Sequence, residues 1–185
     1  FTNSIIIYDY QLKEKKKIPF LDNQSKYFIQ DDIFYYIFEN ILYSFNISKS
    51  ETTKIHENMN TDFFIVNHSN ELIAFSTKKG TIINLLCLNT NKITKQFWRG
   101  YDPVTILNMD FDYKMNYLLV TNNKGTIHIF EINSETSYFN FFIYIKFKFY
   151  IKKKYFYSSF VDDNIVIIDD DNVYLLNITD DIRIQ

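Results

Sequence analysis

Arg99, Thr126 and His128 are the side chains in this sequence best suited to hold an anion. Arg99 stands in FWRG (Phe97 to Gly100), just before one of only three glycines in the chain. A guanidinium offers five N–H donors in a rigid fork that grips phosphate oxygens in pairs. Thr126 and His128 stand two residues apart in KGTIHIF (Lys124 to Phe130). In a strand, residues i and i+2 share a face. The hydroxyl and the imidazole therefore point one way, and Ile127 and Ile129 the other. A protonated imidazole donates from both ring nitrogens. Two plain alternatives stand beside this reading. Arg99 would be a surface cation paired with Asp102 or Asp110, and His128 a half-buried strand residue satisfied by backbone.

The chemistry so described is capture of an anion, without a reaction. The sequence holds no Gly-rich phosphate loop, no HExxH and no nucleophile elbow, so no enzyme is expected. His56, His68 and His128 have no metal-ligand spacing, and no metal or cofactor is expected. The aspartates at 162–163 and 169–171 flank NIVII, as solvated turns would.

The elements that position these residues come as a repeat. Residues 72–86 read LIAFSTKKGTIINLL, and residues 118–132 read LLVTNNKGTIHIFEI. Each has an apolar strand, a polar turn ending in Lys-Gly-Thr, and a second apolar strand. From Gly80 to Gly125 is 45 residues, the period of propeller blades, each a four-stranded antiparallel sheet. About fifteen short runs rich in β-branched and aromatic residues follow one another, and none holds a helical period. They predict an all-β chain of roughly four blades. Glycine and proline are scarce, so Asn and Asp must carry the turns, since both tolerate left-handed backbone.

The order of these motifs resembles the PROPPIN family, WD-type seven-bladed β-propellers that bind phosphoinositides. Lys-Gly-Thr and an apolar strand come first, then FWRG with Asp102-Pro103, then KGTIHIF. The close match covers roughly residues 70–132, and a looser one most of the chain. A seven-bladed propeller needs about 300 residues. The chain is therefore expected to be one partial WD40-type propeller over residues 1–185. It would lack N-terminal blades and be condensed between Ile47 and Gly80. It also begins with Phe1, as a fragment or a processed piece would.

The resemblance also implies residue roles. The family motif carries two successive arginines, each feeding one lipid pocket. Here Trp98 replaces the first, and Arg99 remains. The second pocket would be Arg99, Gly100, Asn122, Thr126 and His128, with Asn122 in place of the usual serine. The first would use Thr77 and Thr81, but Asn84 and Trp98 stand where it needs arginines, so it is expected to be degenerate. The implied function is binding of a phosphoinositide head group (PI3P or PI(3,5)P2 type). The implied role is a membrane-recruited scaffold in autophagy or endosomal traffic, cytoplasmic and peripheral on such membranes, with autophagy-type protein partners. The alternative is a WD-repeat interaction scaffold that has lost lipid binding, and the arginine missing at position 98 favours it.

Composition bounds the rest. A net charge of −2 supplies no global field toward nucleic acid or membrane, so any attraction is local. Binding of single-stranded nucleic acid through aromatics and lysines is disfavoured on that ground. With 46% hydrophobic residues the chain has material for a core. The single cysteine, Cys87, sits in the apolar run INLLCLN and is expected inside. YFNFFIYIKFKFYIKKKYF (Tyr138 to Phe156) mixes aromatics with Lys146, Lys148, Lys152, Lys153 and Lys154. Such a stretch suits an anionic membrane surface, and Lys152 to Lys154 are candidate membrane contacts. It equally fits an amphipathic strand, since Lys146 and Lys148 alternate with Phe147 and Phe149.

Overall fold

The computed structural model describes residues 4–8, 11–19, 26–133, 142–143, 147–150, 157–162, 164–169 and 172–177. Among these residues there is no helix, and the strands form five sheets. β1 (Ser4–Tyr8) and β2 (Glu14–Pro19) make a hairpin. β3 (Tyr27–Gln30), β4 (Ile33–Phe38), β5 (Ile41–Asn46) and β6 (Glu51–His56) make a four-stranded meander. β7 (Phe64–Val66), β8 (Leu72–Ser76), β9 (Ile82–Cys87) and β10 (Lys92–Trp98) make the next. β11 (Ile106–Phe111), β12 (Tyr117–Asn122) and β13 (Thr126–Glu131) follow. β14 (Phe142–Ile143) joins β10 in parallel, and β15 (Phe147–Tyr150) pairs with β13. β16 (Tyr157–Val161), β17 (Asn164–Ile168) and β18 (Val173–Asn177) complete the series.

The first strands of four successive sheets lie side by side: β3 on β7, β7 on β11, and β11 on β16. Asp110 on β11 ties the last pair, accepting from Ser159 Oγ at 2.6 Å and from the Phe160 amide at 2.8 Å. Lys26 and Asp62 pair at 2.8 Å beside β3 and β7. Four sheets stacked through their first strands are blades of a propeller. The β1–β2 hairpin packs on the far side of the β3–β6 blade through Ile7, Ile18, Phe34, Tyr36 and Phe45. Only one blade boundary falls between Ile47 and Gly80, as a condensed middle requires.

An inner blade is buried on both faces, which explains its continuous apolar runs. Along β9, Ile83 and Leu85 face the β11–β13 blade, while Leu86 faces the β3–β6 blade. Phe97 and Phe130 stack across the interface between the two middle blades, with ring centroids 4.9 Å apart. Ile127 and Ile129 face the other way, onto Ile165 and Ile167 of the β16–β18 blade. Short polar residues carry many of the turns, as expected: Asp31, Asn40, Asn70, Asn91 and Asp162 all have left-handed φ. Cys87 departs from expectation. It ends β9 half-buried and is not a core residue.

The two Lys-Gly-Thr turns need their glycines. Gly80 has φ +64, and a Cβ on it would lie 2.4 Å from the Val104 carbonyl oxygen. Gly125 has φ +78. Gly80→Ala is therefore expected to lose about 1–3 kcal/mol of stability from left-handed strain alone, and more from the backbone contact. A lower urea midpoint at unchanged m-value is the readout.

Candidate functional site

The two Lys-Gly-Thr turns are built alike. In the first, the Gly80 amide donates to the Thr77 carbonyl at 2.7 Å, and Thr77 N donates to Ile82 O at 2.9 Å. In the second, the Gly125 amide donates to the Asn122 carbonyl at 3.1 Å. Asn122 closes this turn with its side chain. Its Oδ1 accepts from Lys124 N at 2.9 Å, and its Nδ2 donates to Thr126 Oγ1. Such self-capping is what short amide side chains do in turns.

The FWRG linker lies across both turns. Arg99 N donates to Thr81 O at 2.9 Å, and Val104 N to Lys79 O at 3.0 Å. On the other side Asn123 N donates to Thr105 O at 3.0 Å, and Thr105 N to Asn123 Oδ1 at 3.2 Å. Lys124 Nζ and Asp102 Oδ2 approach to 3.5 Å. The segment from Arg99 to Thr105 is thereby fixed by backbone bonds to two blades.

The Arg99 side chain is 7% exposed. Its Nε donates to Gly80 O at 2.7 Å, and an Nη to Asp102 O. Burial lowers its pKa, the Asp102 carboxylate opposes that, and the guanidinium remains a cation. The simple ion-pair alternatives do not describe it. The Asp102 carboxylate approaches Lys124, and Asp110 takes Ser159 and Phe160. Two of the five guanidinium N–H groups meet these carbonyls, which leaves three donors for another acceptor.

Thr126, His128 and Phe130 share one face of β13, as spacing requires, and that face meets the blade that carries Phe97. His128 lies deeper than the half-buried alternative places it. Its exposure is 0%, and its ring stacks on Phe130 at 6.2 Å. Spacing sets the face but not the depth, and the neighbouring blade covers this part of the strand. Asn122 is likewise fully buried, while Thr126 is half-buried.

Three of the four residues of the expected degenerate pocket come together, and Trp98 is not among the residues that line it. Thr77, Thr81 and Asn84 line a cavity of about 950 Å³ with Lys78, Lys79 and Gln96. The Asn84 amide oxygen accepts from Gln96 Nε2 at 2.8 Å. Trp98 continues the Gln96 side of β10 and meets Tyr101 edge-on, with centroids 4.6 Å apart. Lys78 and Lys79 are the cations of this cavity, in place of the missing arginines. Their signal in the sequence was the doubled lysine of STKKGT. Lys152, Lys153 and Lys154 lie outside the described residues. Among the described residues no cluster of His, Cys, Asp or Glu could hold a metal ion, and no helix is long and apolar enough to cross a membrane.

No family model matches the chain. It is 36% identical over 66 residues to Autophagy-related protein 18 of Debaryomyces hansenii, which is 36% of this chain and 12% of that protein. It is 32% identical over 101 residues to SVP1-like protein 2 of Candida albicans, which is 55% of this chain and 16% of that protein. The matches thus span a minor part of these relatives. Kluyveromyces lactis Hsv2 superposes with a TM-score of 0.63 at 15% identity, covering all of this chain and 79% of that one. Fold and blade contacts define a WD-type β-propeller. Within that class the matched stretch is similar to proteins of the PROPPIN family.

Asn122→Ala would leave the half-buried Thr126 hydroxyl and the Lys124 amide without their side-chain partner. A loss of about 1–3 kcal/mol is expected, read by urea unfolding.

Proposed function

We propose that this chain binds a 3-phosphorylated phosphoinositide head group at Arg99 and acts as a membrane-recruited scaffold. Arg99 and the Gly100 backbone would meet the phosphates, together with the Thr126 hydroxyl. Asn122 and His128 would hold Thr126 and its strand in place from behind. The observation that carries this reading is the fixed linker. Arg99 is already braced by Gly80 and Asp102, so little side-chain freedom is left to lose on binding. Its remaining donors match a phosphate. The relatives named for autophagy support a place in autophagy; the motif resemblance alone suggests PI3P or PI(3,5)P2 as the lipid type, and a peripheral place on cytoplasmic or endosomal membrane faces. Binding alone is proposed, with no reaction.

A second reading has its own observation. The low exposure of Arg99, and the bonds it makes to backbone carbonyls, fit a propeller that keeps the arginine for structure and serves only as an interaction scaffold.

Liposome co-sedimentation at fixed salt separates the two, because surface electrostatics are screened by ions. Arg99→Ala removes a charge-assisted hydrogen bond of about 1.5–3 kcal/mol. Binding should weaken roughly ten- to hundredfold. Arg99→Lys should restore only part, since an ammonium lacks the fork. Circular dichroism of each variant checks that the blades remain folded. Folded Arg99→Ala that binds as well as the parent would favour the scaffold.

A further inference from the structure

Beside Arg99 the linker carries two aromatic rings that anion capture does not use. Tyr101 is 87% exposed, although large apolar rings usually find cover. It packs edge-on against Trp98 at an interplanar angle of 78°. The pair does not ride on a loose loop. The amides of Arg99 and Val104 bind its segment to Thr81 and Lys79 of the first turn, and Thr105 binds it to Asn123 of the second. Those turns bring lysines to the same edge. Lys78 and Lys79 are exposed on the first turn, and Lys124 on the second. Asp102 lies among them, 3.5 Å from Lys124, and offsets part of their charge.

We propose that Trp98 and Tyr101 enter the head-group layer of an anionic bilayer, with Lys78, Lys79 and Lys124 over the lipid phosphates. The inference deepens the head-group reading by adding a second membrane contact, and rests on it only for the orientation of this edge toward the membrane. Trp and Tyr favour the boundary between water and hydrocarbon, because each has an apolar body and a polar tip. Lysines beside such rings add attraction to anionic lipid that fades with salt. This combination sits directly beside Arg99, so one edge would hold both the specific and the general contact. Trp98 stands where the resemblance predicts an arginine. The substitution thus exchanges a second phosphate grip for an interfacial anchor.

The chain contains one tryptophan, so its emission reports on position 98 alone. The whole chain is mixed with phosphatidylcholine–phosphatidylserine vesicles, with and without PI3P. Expected results are a blue shift of the emission, quenching by brominated acyl chains, and several-fold weaker co-sedimentation of Tyr101→Ala. Tyr101 is so exposed that its removal leaves the fold intact. Vesicle binding with unshifted, unquenched emission overturns the inference, as does Tyr101→Ala binding like the parent; the edge then belongs to a protein contact. A shift equal with and without PI3P keeps the aromatic contact and removes the head-group reading. A chain that sediments with neither vesicle overturns both.

Discussion

The hydrogen bonds from Arg99 to the carbonyls of Gly80 and Asp102 hold the edge of this propeller in shape. A buried cation is costly unless its donors are met, and here the first turn and the curled linker meet one each. The curl depends on Gly80. Only a residue without Cβ allows the Val104 carbonyl to pass so close. The order Lys-Gly-Thr, Phe-Trp-Arg-Gly, Lys-Gly-Thr is thus one mechanical unit. The first turn offers a carbonyl, the linker lays an arginine on it, and the second turn receives the end of the linker through Asn123.

That unit sits on a stack of hydrophobic interfaces. Phe97, two residues before Arg99, is fully buried against Phe130, two residues after His128. The same packing that fixes the two blades therefore fixes the height of the arginine and the depth of the histidine. Asn122 adds a polar clamp at the end of β12, holding Thr126 by its hydroxyl. The proposed recognition would draw on the same residues as the structure, so substitutions at Arg99 or Asn122 would act on both.

Much of the architecture was legible. The two Lys-Gly-Thr copies announced the blade period, and their turns are bonded alike. The turn role of Asn and Asp also followed from the scarcity of glycine. β2 and β6 were not legible. They read EKKKIP and ETTKIH, lie at sheet edges, and each gives the core one apolar side chain, Ile18 or Ile55, which is too few to make a pattern. At the site, alternation gave the face shared by Thr126 and His128. It gave no depth, because depth is set by the neighbouring blade. The carbonyl partners of Arg99 were hidden for a similar reason, since they arise from the fold of the linker onto a turn 19 residues away in sequence. Lys78 and Lys79 read in sequence as a solvated turn, and only the fold brings them to the cavity of Thr77, Thr81 and Asn84. The turn itself supplied cations to that cavity.

The central claim is that the braced linker and the two turns receive a phosphorylated inositol. It is tested most directly by backbone amide NMR of the chain titrated with soluble inositol 1,3-bisphosphate. Shifts concentrated at Gly80, Arg99, Gly100, Val104 and Thr126, with slower amide exchange across residues 99–105, are the predicted result. Saturating ligand that leaves these amides unmoved, or that moves only those of the β3–β6 or β16–β18 blades, would contradict the account.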